Sequence, residues 1–171
     1  MNTFLKKALP KAIGSSINVL AIFSPKTAAK QAFKVFSKPR RGKIGPHHEE
    51  FLNPNLEPKI SVEEWPGTGK TILLVHGWES HSHRWKEMII RLQQENYNII
   101  AFDAPAHGYS SGKYFYVPLY HQALNKILET YQPDYLVGHS VGGMTVLYNQ
   151  SQKESFRTKK LVILGAPDTL E

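Results

Sequence analysis

The chain of 171 residues contains no cysteine, which excludes disulfides and thiolate metal sites and leaves the cellular compartment open. Its first 48 residues contain no acidic side chain. They carry ten basic ones: Lys6, Lys7, Lys11, Lys26, Lys30, Lys34, Lys38, Arg40, Arg41 and Lys43. It also lacks an apolar run of the roughly 20 residues that a membrane-spanning helix needs. The longest mostly apolar stretch, residues 12–23, is interrupted by Gly14, Ser15, Ser16 and Asn18. Lysines precede that stretch as they do in a signal peptide, but no small-residue cleavage site follows it cleanly.

The charge is therefore divided. The net of +7 comes from the arm, because the remaining residues carry eleven basic and fourteen acidic side chains, a net of −3. A pI near 9.5 reports that arm and is not read as a nucleic-acid signature. Residues 1–45 are expected to form one or two basic helices broken near Pro25. They would pack on the body or make weak contact with an anionic membrane surface. The expected location is cytoplasmic, with the arm as a peripheral contact. Residues 46–171 form the second part, which opens with a proline-rich stretch and a short strand at 59–64.

From residue 70 the pattern is regular. Thr71-Ile72-Leu73-Leu74-Val75 is a continuous apolar run, as in a strand buried on both faces. A helix is expected over 83–96, where Trp85, Met88, Ile89 and Leu92 recur at spacings of three and four. Strands follow at 98–103, 134–138 and 160–165. Helices follow at 117–131, with Leu119, Ala123, Leu124, Ile127 and Leu128 on one face, and at 141–152. Strands alternating with helices imply an α/β fold with a parallel sheet and right-handed crossovers. In such a sheet the loops at the carboxyl ends of the strands collect the site. Those ends hold His76-Gly77-Trp78, Asp103-Ala104-Pro105-Ala106-His107-Gly108, Gly138-His139-Ser140 and Gly165-Ala166-Pro167-Asp168.

Gly138-His139-Ser140-Val141-Gly142 matches G-x-S-x-G between a strand and a helix. The motif has a steric reason. The serine occupies a sharp, strained turn, and side chains two residues to either side would collide. The turn also sets the hydroxyl at the amino end of a helix, where the dipole favours developing negative charge. Acyl transfer to a serine needs two backbone N–H donors aimed at the oxyanion. The natural pair is Val141, just after the serine, and Trp78, where Gly77 lets the chain turn toward it.

A buried strand ending in His-Gly-Trp, then Asp-x-Pro-x-His-Gly, then Gly-His-Ser-Val-Gly-Gly, then a strand ending in Gly-Ala-Pro, resembles the α/β-hydrolase family over residues 59–170. The resemblance implies a three-layer sandwich around a mostly parallel sheet, with the family's third to sixth strands at 71–75, 98–103, 134–138 and 160–165. It implies Ser140 as nucleophile and Trp78 and Val141 as oxyanion donors. It gives His76, Gly77, Asp103, His107, Gly138, His139 and Gly142 structural places beside the site. It implies hydrolysis of an ester, thioester or similar bond of a small molecule through an acyl-enzyme, with no cofactor and no metal.

Family members place the catalytic acid after the sixth or seventh strand, the histidine after the eighth, and commonly a lid after the sixth. This sequence reaches Glu171 just past the expected sixth strand, so the sandwich is expected to be truncated there and to lack the histidine. Asp168 is the candidate acid. His47, His48, His81, His83 and His121 lie outside the expected place of the base, and His81 with His83 alone is a weak zinc pattern. Two alternatives accompany the hydrolase reading: a truncated, inactive hydrolase-like chain, and a membrane-surface protein whose arm carries the function.

Overall fold

A computed structural model describes residues 3–40, 59–152 and 158–166. The expected boundary at 45/46, His47, His48 and Asp168 lie outside the described residues. The chain divides into two compact units, Met1–Lys38 and Pro39–Glu171.

In the first unit, helix α1 spans Thr3–Phe23 and helix α2 spans Pro25–Phe36. The break falls where the sequence places it. Pro25 has no N–H to continue α1, yet it fits the first turn of α2, where no acceptor is needed. Ile13, Ile17, Leu20 and Ala21 are the less exposed side of α1, and Ala28, Ala32 and Val35 that of α2. Both sets recur at three- and four-residue spacings, and through them the helices pack on each other.

The second unit is built on a five-stranded sheet. Its strands are β1 (Val62–Trp65), β2 (Thr71–Val75), β3 (Asn98–Phe102), β4 (Tyr135–His139) and β5 (Lys160–Leu164), in spatial order β1-β3-β2-β4-β5. β2 to β5 run parallel, and β1 pairs antiparallel with β3. The short strand expected at 59–64 is thus β1, the antiparallel edge of a mostly parallel sheet.

Strand periodicity sorts the apolar runs to two faces. Leu73, Val75, Ile100, Phe102 and Leu136 face one way, packed with Tyr120, Ala123, Leu124, Ile127 and Leu128 of helix α4 (Val117–Tyr131) and Val146 of helix α5 (Val141–Ser151). Ile72, Leu74, Ile99, Ala101 and Val137 face the other way, against Trp85 and Ile89. Three layers result, and truncating one fully buried Leu such as Leu136 to Ala is expected to cost about 2–5 kcal/mol.

Two details differ from the sequence reading. The helix expected over 83–96 opens as a 3-10 turn, Ser82–Trp85, and becomes α-helical only over Lys86–Gln94 (α3). The Asp103 carboxylate explains that opening, because its Oδ1 accepts the Ser82 N–H at 2.8 Å and fixes where the chain enters. β5 is also not covered like β2, β3 and β4: Leu161 and Val162 are exposed.

Candidate active site

β2 lies between β3 and β4, and Val75 of β2 is in register with both Phe102 of β3 and Gly138 of β4. The carboxyl ends of the three central strands therefore stop at the same level. The segments that follow them begin at His76, Asp103 and Ser140, on one edge of the sheet.

Ser140 stands between β4 and α5 with φ 53° and ψ −125°. This positive-φ conformation carries on the order of 1–3 kcal/mol of strain in a non-glycine residue. The turn is held by Ser140 N–H to the Leu164 carbonyl at 2.9 Å and Met144 N–H to the Ser140 carbonyl at 3.1 Å. A serine at a helix start normally spends its hydroxyl on capping. This one makes no cap hydrogen bond. Sterics demand the flanking glycines. A Cβ at Gly138 would lie 2.7 Å from the Gly143 Cα, and one at Gly142 would run into the Val75 and His76 carbonyls.

The His76-Gly77-Trp78 loop abuts this turn: a Cβ at Gly77 would meet the Ser140 Cβ at 3.0 Å. The His76 ring orders the loop. Its Nδ1 lies 2.7 Å from the Gly77 carbonyl, and its Nε2 accepts the Ala104 N–H at 2.8 Å. The ring is therefore neutral with the proton on Nδ1. Burial lowers its pKa to about 4, opposed by the Gly77 hydrogen bond. In a trans peptide the C=O and N–H point opposite ways. Holding the Gly77 carbonyl toward His76 thus turns the Trp78 N–H away from that ring. Val141 is the first residue of α5, and such an N–H has no acceptor within its own helix.

Asp103 and His107 tie the neighbouring loop together. Buried Asp103 accepts the Ser82 and Tyr109 N–H groups, each at 2.8 Å. Buried His107 accepts the Glu79 N–H at Nε2, 3.0 Å away, and its Nδ1 lies 3.0 Å from the Pro105 carbonyl. With both nitrogens engaged by main chain, His107 has the arrangement of a brace. Trp78 packs edge-on against His107 and Phe115, with ring centroids 5.5 and 5.1 Å away. His139 is exposed beside Ser140 and faces the edge of Trp85.

Of the other described histidines, His81 and His83 lie at the 3-10 turn and His121 on α4. His83 lies 3.6 Å from Glu63 and beside His81, whose pKa is lowered chiefly by burial. His121 packs edge-on against Tyr148 of α5 and meets Asn125 on its own helix α4. Among the described residues no three His, Cys, Asp or Glu side chains gather as a metal site would require. Tyr120 went unnoticed in the sequence reading. It is fully buried and donates its hydroxyl to the His76 carbonyl at 3.1 Å. Its only sequence signal is its place on the stripe shared with Ala123, Leu124 and Ile127.

A family model described as serine aminopeptidase, S33, matches residues 67–169, more than half of the chain. A non-heme haloperoxidase of Rhodococcus erythropolis is 30% identical over 120 residues, covering 68% of this chain and 43% of that protein. Among solved structures, a bromoperoxidase from Bacillus anthracis is 29% identical with a TM-score of 0.60, covering 66% of this chain and 42% of that one. An esterase from Exiguobacterium antarcticum is 25% identical with a TM-score of 0.59, covering 64% and 42%. The chain spans less than half the length of each relative named.

Proposed function

The chain belongs to the serine aminopeptidase S33 family of α/β-hydrolases, and from that premise we propose that it contributes the nucleophile and oxyanion hole of a serine hydrolase acting on an ester, thioester or similar bond. The observation that carries this reading is Ser140 itself: a strained positive-φ residue at the head of a helix, its hydroxyl unspent on capping, against the Gly77 loop. Ser140 Oγ attacks the carbonyl carbon and gives up its proton to a base. The tetrahedral oxyanion takes hydrogen bonds from the Trp78 and Val141 N–H groups, and collapse expels the leaving alcohol or thiol, which takes up that proton. Water then repeats the sequence on the acyl-enzyme and releases the acid. Ser140 Oγ makes no cap hydrogen bond, and His76 and His107 of the neighbouring loops have their ring nitrogens engaged by main chain, so the base is assigned elsewhere, with Asp168 the candidate acid. Without a base a serine is a poor nucleophile at neutral pH.

The test is covalent labelling with a fluorophosphonate, followed by peptide mapping. Modification at Ser140 that disappears in Ser140→Ala supports the reading. A folded sample that stays unmodified refutes it for this chain and leaves the inactive hydrolase-like alternative.

A second reading concerns the arm. Lys26, Lys30 and Lys34 form a row at four-residue spacing on α2, and exposed Phe33 and Phe36 border it. This charge and apolar edge fit an anionic lipid surface on which the helix lies; no helix among the described residues is long and apolar enough to cross a membrane. Sedimentation with phosphatidylserine vesicles, weakened by salt and by Lys26→Gln, Lys30→Gln and Lys34→Gln together, supports it. Equal sedimentation without residues 1–45 rejects it.

A further inference from the structure

We propose that Tyr120 is a positioning residue for the oxyanion hole, fixing through its hydroxyl the first peptide of the loop that presents the Trp78 N–H. The inference rests on the Ser140 reading above.

Two consecutive peptide planes follow β2, and each is held by one side chain. The Gly77–Trp78 plane is held by the His76 ring through the Gly77 carbonyl at 2.7 Å. The His76–Gly77 plane is held by the Tyr120 hydroxyl through the His76 carbonyl at 3.1 Å. The second hold supports the first, because rotating the His76–Gly77 plane would swing Gly77 away from the ring that fixes its carbonyl. Gly142, just past Ser140, closes against that same His76 carbonyl. The phenol and the turn at Ser140 thus meet at one carbonyl of the oxyanion loop.

Tyr120 is suited to this. Its ring is immobilised among Phe102, Phe115 and His76, with centroids 5.5, 5.3 and 5.9 Å away. Burial first, then the Asp103 charge, keeps the phenol protonated far above neutral pH, so it stays a donor. A core position with only packing to satisfy takes phenylalanine, since a buried hydroxyl must find an acceptor or lose stability. Here the acceptor is the carbonyl immediately preceding the glycine at the nucleophile.

The experiment compares wild type, Tyr120→Phe and Leu128→Val. The last is a core truncation at the far end of α4, chosen to match the loss of stability. Hydrolysis of short-chain p-nitrophenyl esters is measured well below each unfolding midpoint. The expected result is a fall in kcat of roughly 5- to 50-fold for Tyr120→Phe, with KM changed less than about 2-fold, because the transition state uses the donor more than the bound substrate does. Leu128→Val is expected to keep wild-type kcat. An unchanged kcat in Tyr120→Phe, or an equal fall in Leu128→Val, overturns the proposal. If wild type hydrolyses the esters no faster than Ser140→Ala, the serine reading fails for this chain instead. The clamp is then judged by the Gly77 and Trp78 amide resonances. A marked shift in Tyr120→Phe and none in Leu128→Val upholds it, and unmoved resonances overturn it.

Discussion

The Nδ1 of His76 lies 2.7 Å from the carbonyl of Gly77, its own neighbour in the chain, while Nε2 on the far side of the ring accepts from Ala104, 2.8 Å away. One imidazole thereby joins the exit of β2 to the exit of β3, and it can do so only while neutral. A proton on Nε2 would face the Ala104 N–H and turn an attraction into a repulsion.

Acid is therefore expected to loosen this loop. In the unfolded chain His76 titrates near 6.5, and in the folded chain near 4. Between these values the unfolded state binds more protons, so stability falls as pH drops from about 6.5 to about 4 and the loss levels off below. The span corresponds to at most about 3 kcal/mol. Urea unfolding from pH 7.5 to pH 4 checks it. His76→Gln is expected to flatten this part of the profile, and an unchanged slope would show that other groups carry it.

Ser140→Gly is expected to stabilise the protein by about 0.5–1 kcal/mol while abolishing fluorophosphonate labelling, because glycine occupies φ 53° without a Cβ penalty. Denaturant melts of the two proteins decide it. A loss of stability would mean that the turn is unstrained.

The two flanking glycines are expected to be intolerant. Gly142→Ala drives a methyl into the Val75 and His76 carbonyls, and Gly138→Ala into the Gly143 main chain. Each is expected to cost more than about 2 kcal/mol, since main chain rather than a flexible side chain must move. Soluble yield and melting temperature report it.

Asp103→Asn keeps the shape but can offer only one acceptor oxygen where Ser82 and Tyr109 both donate. One N–H then faces an NH2 group, at an expected loss of about 1–3 kcal/mol. The destabilisation is expected to be insensitive to salt, because the partners are buried main chain. A strong salt dependence would argue for an ion pair instead.

The central strands were legible in the sequence because burial on both faces leaves an uninterrupted apolar run, and β2, β3 and β4 each fall within a residue of where those runs lie. The turn at Ser140 was legible because its geometry admits glycine alone at 138 and 142. Tyr120 was not. The stripe on α4 was read through Leu119, whereas the helix buries Tyr120 completely and Leu119 in part. Adjacent apolar residues leave a helix's rotation undecided by one position. The acceptor for the phenol, a carbonyl 44 residues earlier in the chain, exists only once the sheet has formed. The 3-10 opening at Ser82 has the same origin, in a carboxylate from the next strand.

The strand order has a kinetic consequence. β2 forms its central pairing with β4, 63 residues further on (Leu73 with Leu136, Val75 with Gly138), rather than only with β3, which follows it directly in the chain. Closing a loop of that length is a slow, entropy-limited event. The Gly77 loop and Ser140 follow those two strands, so labelling of Ser140, on the proposed reading, becomes a readout of completed folding. In a refolding experiment, labelling at residue 140 should appear only after helix content has already recovered.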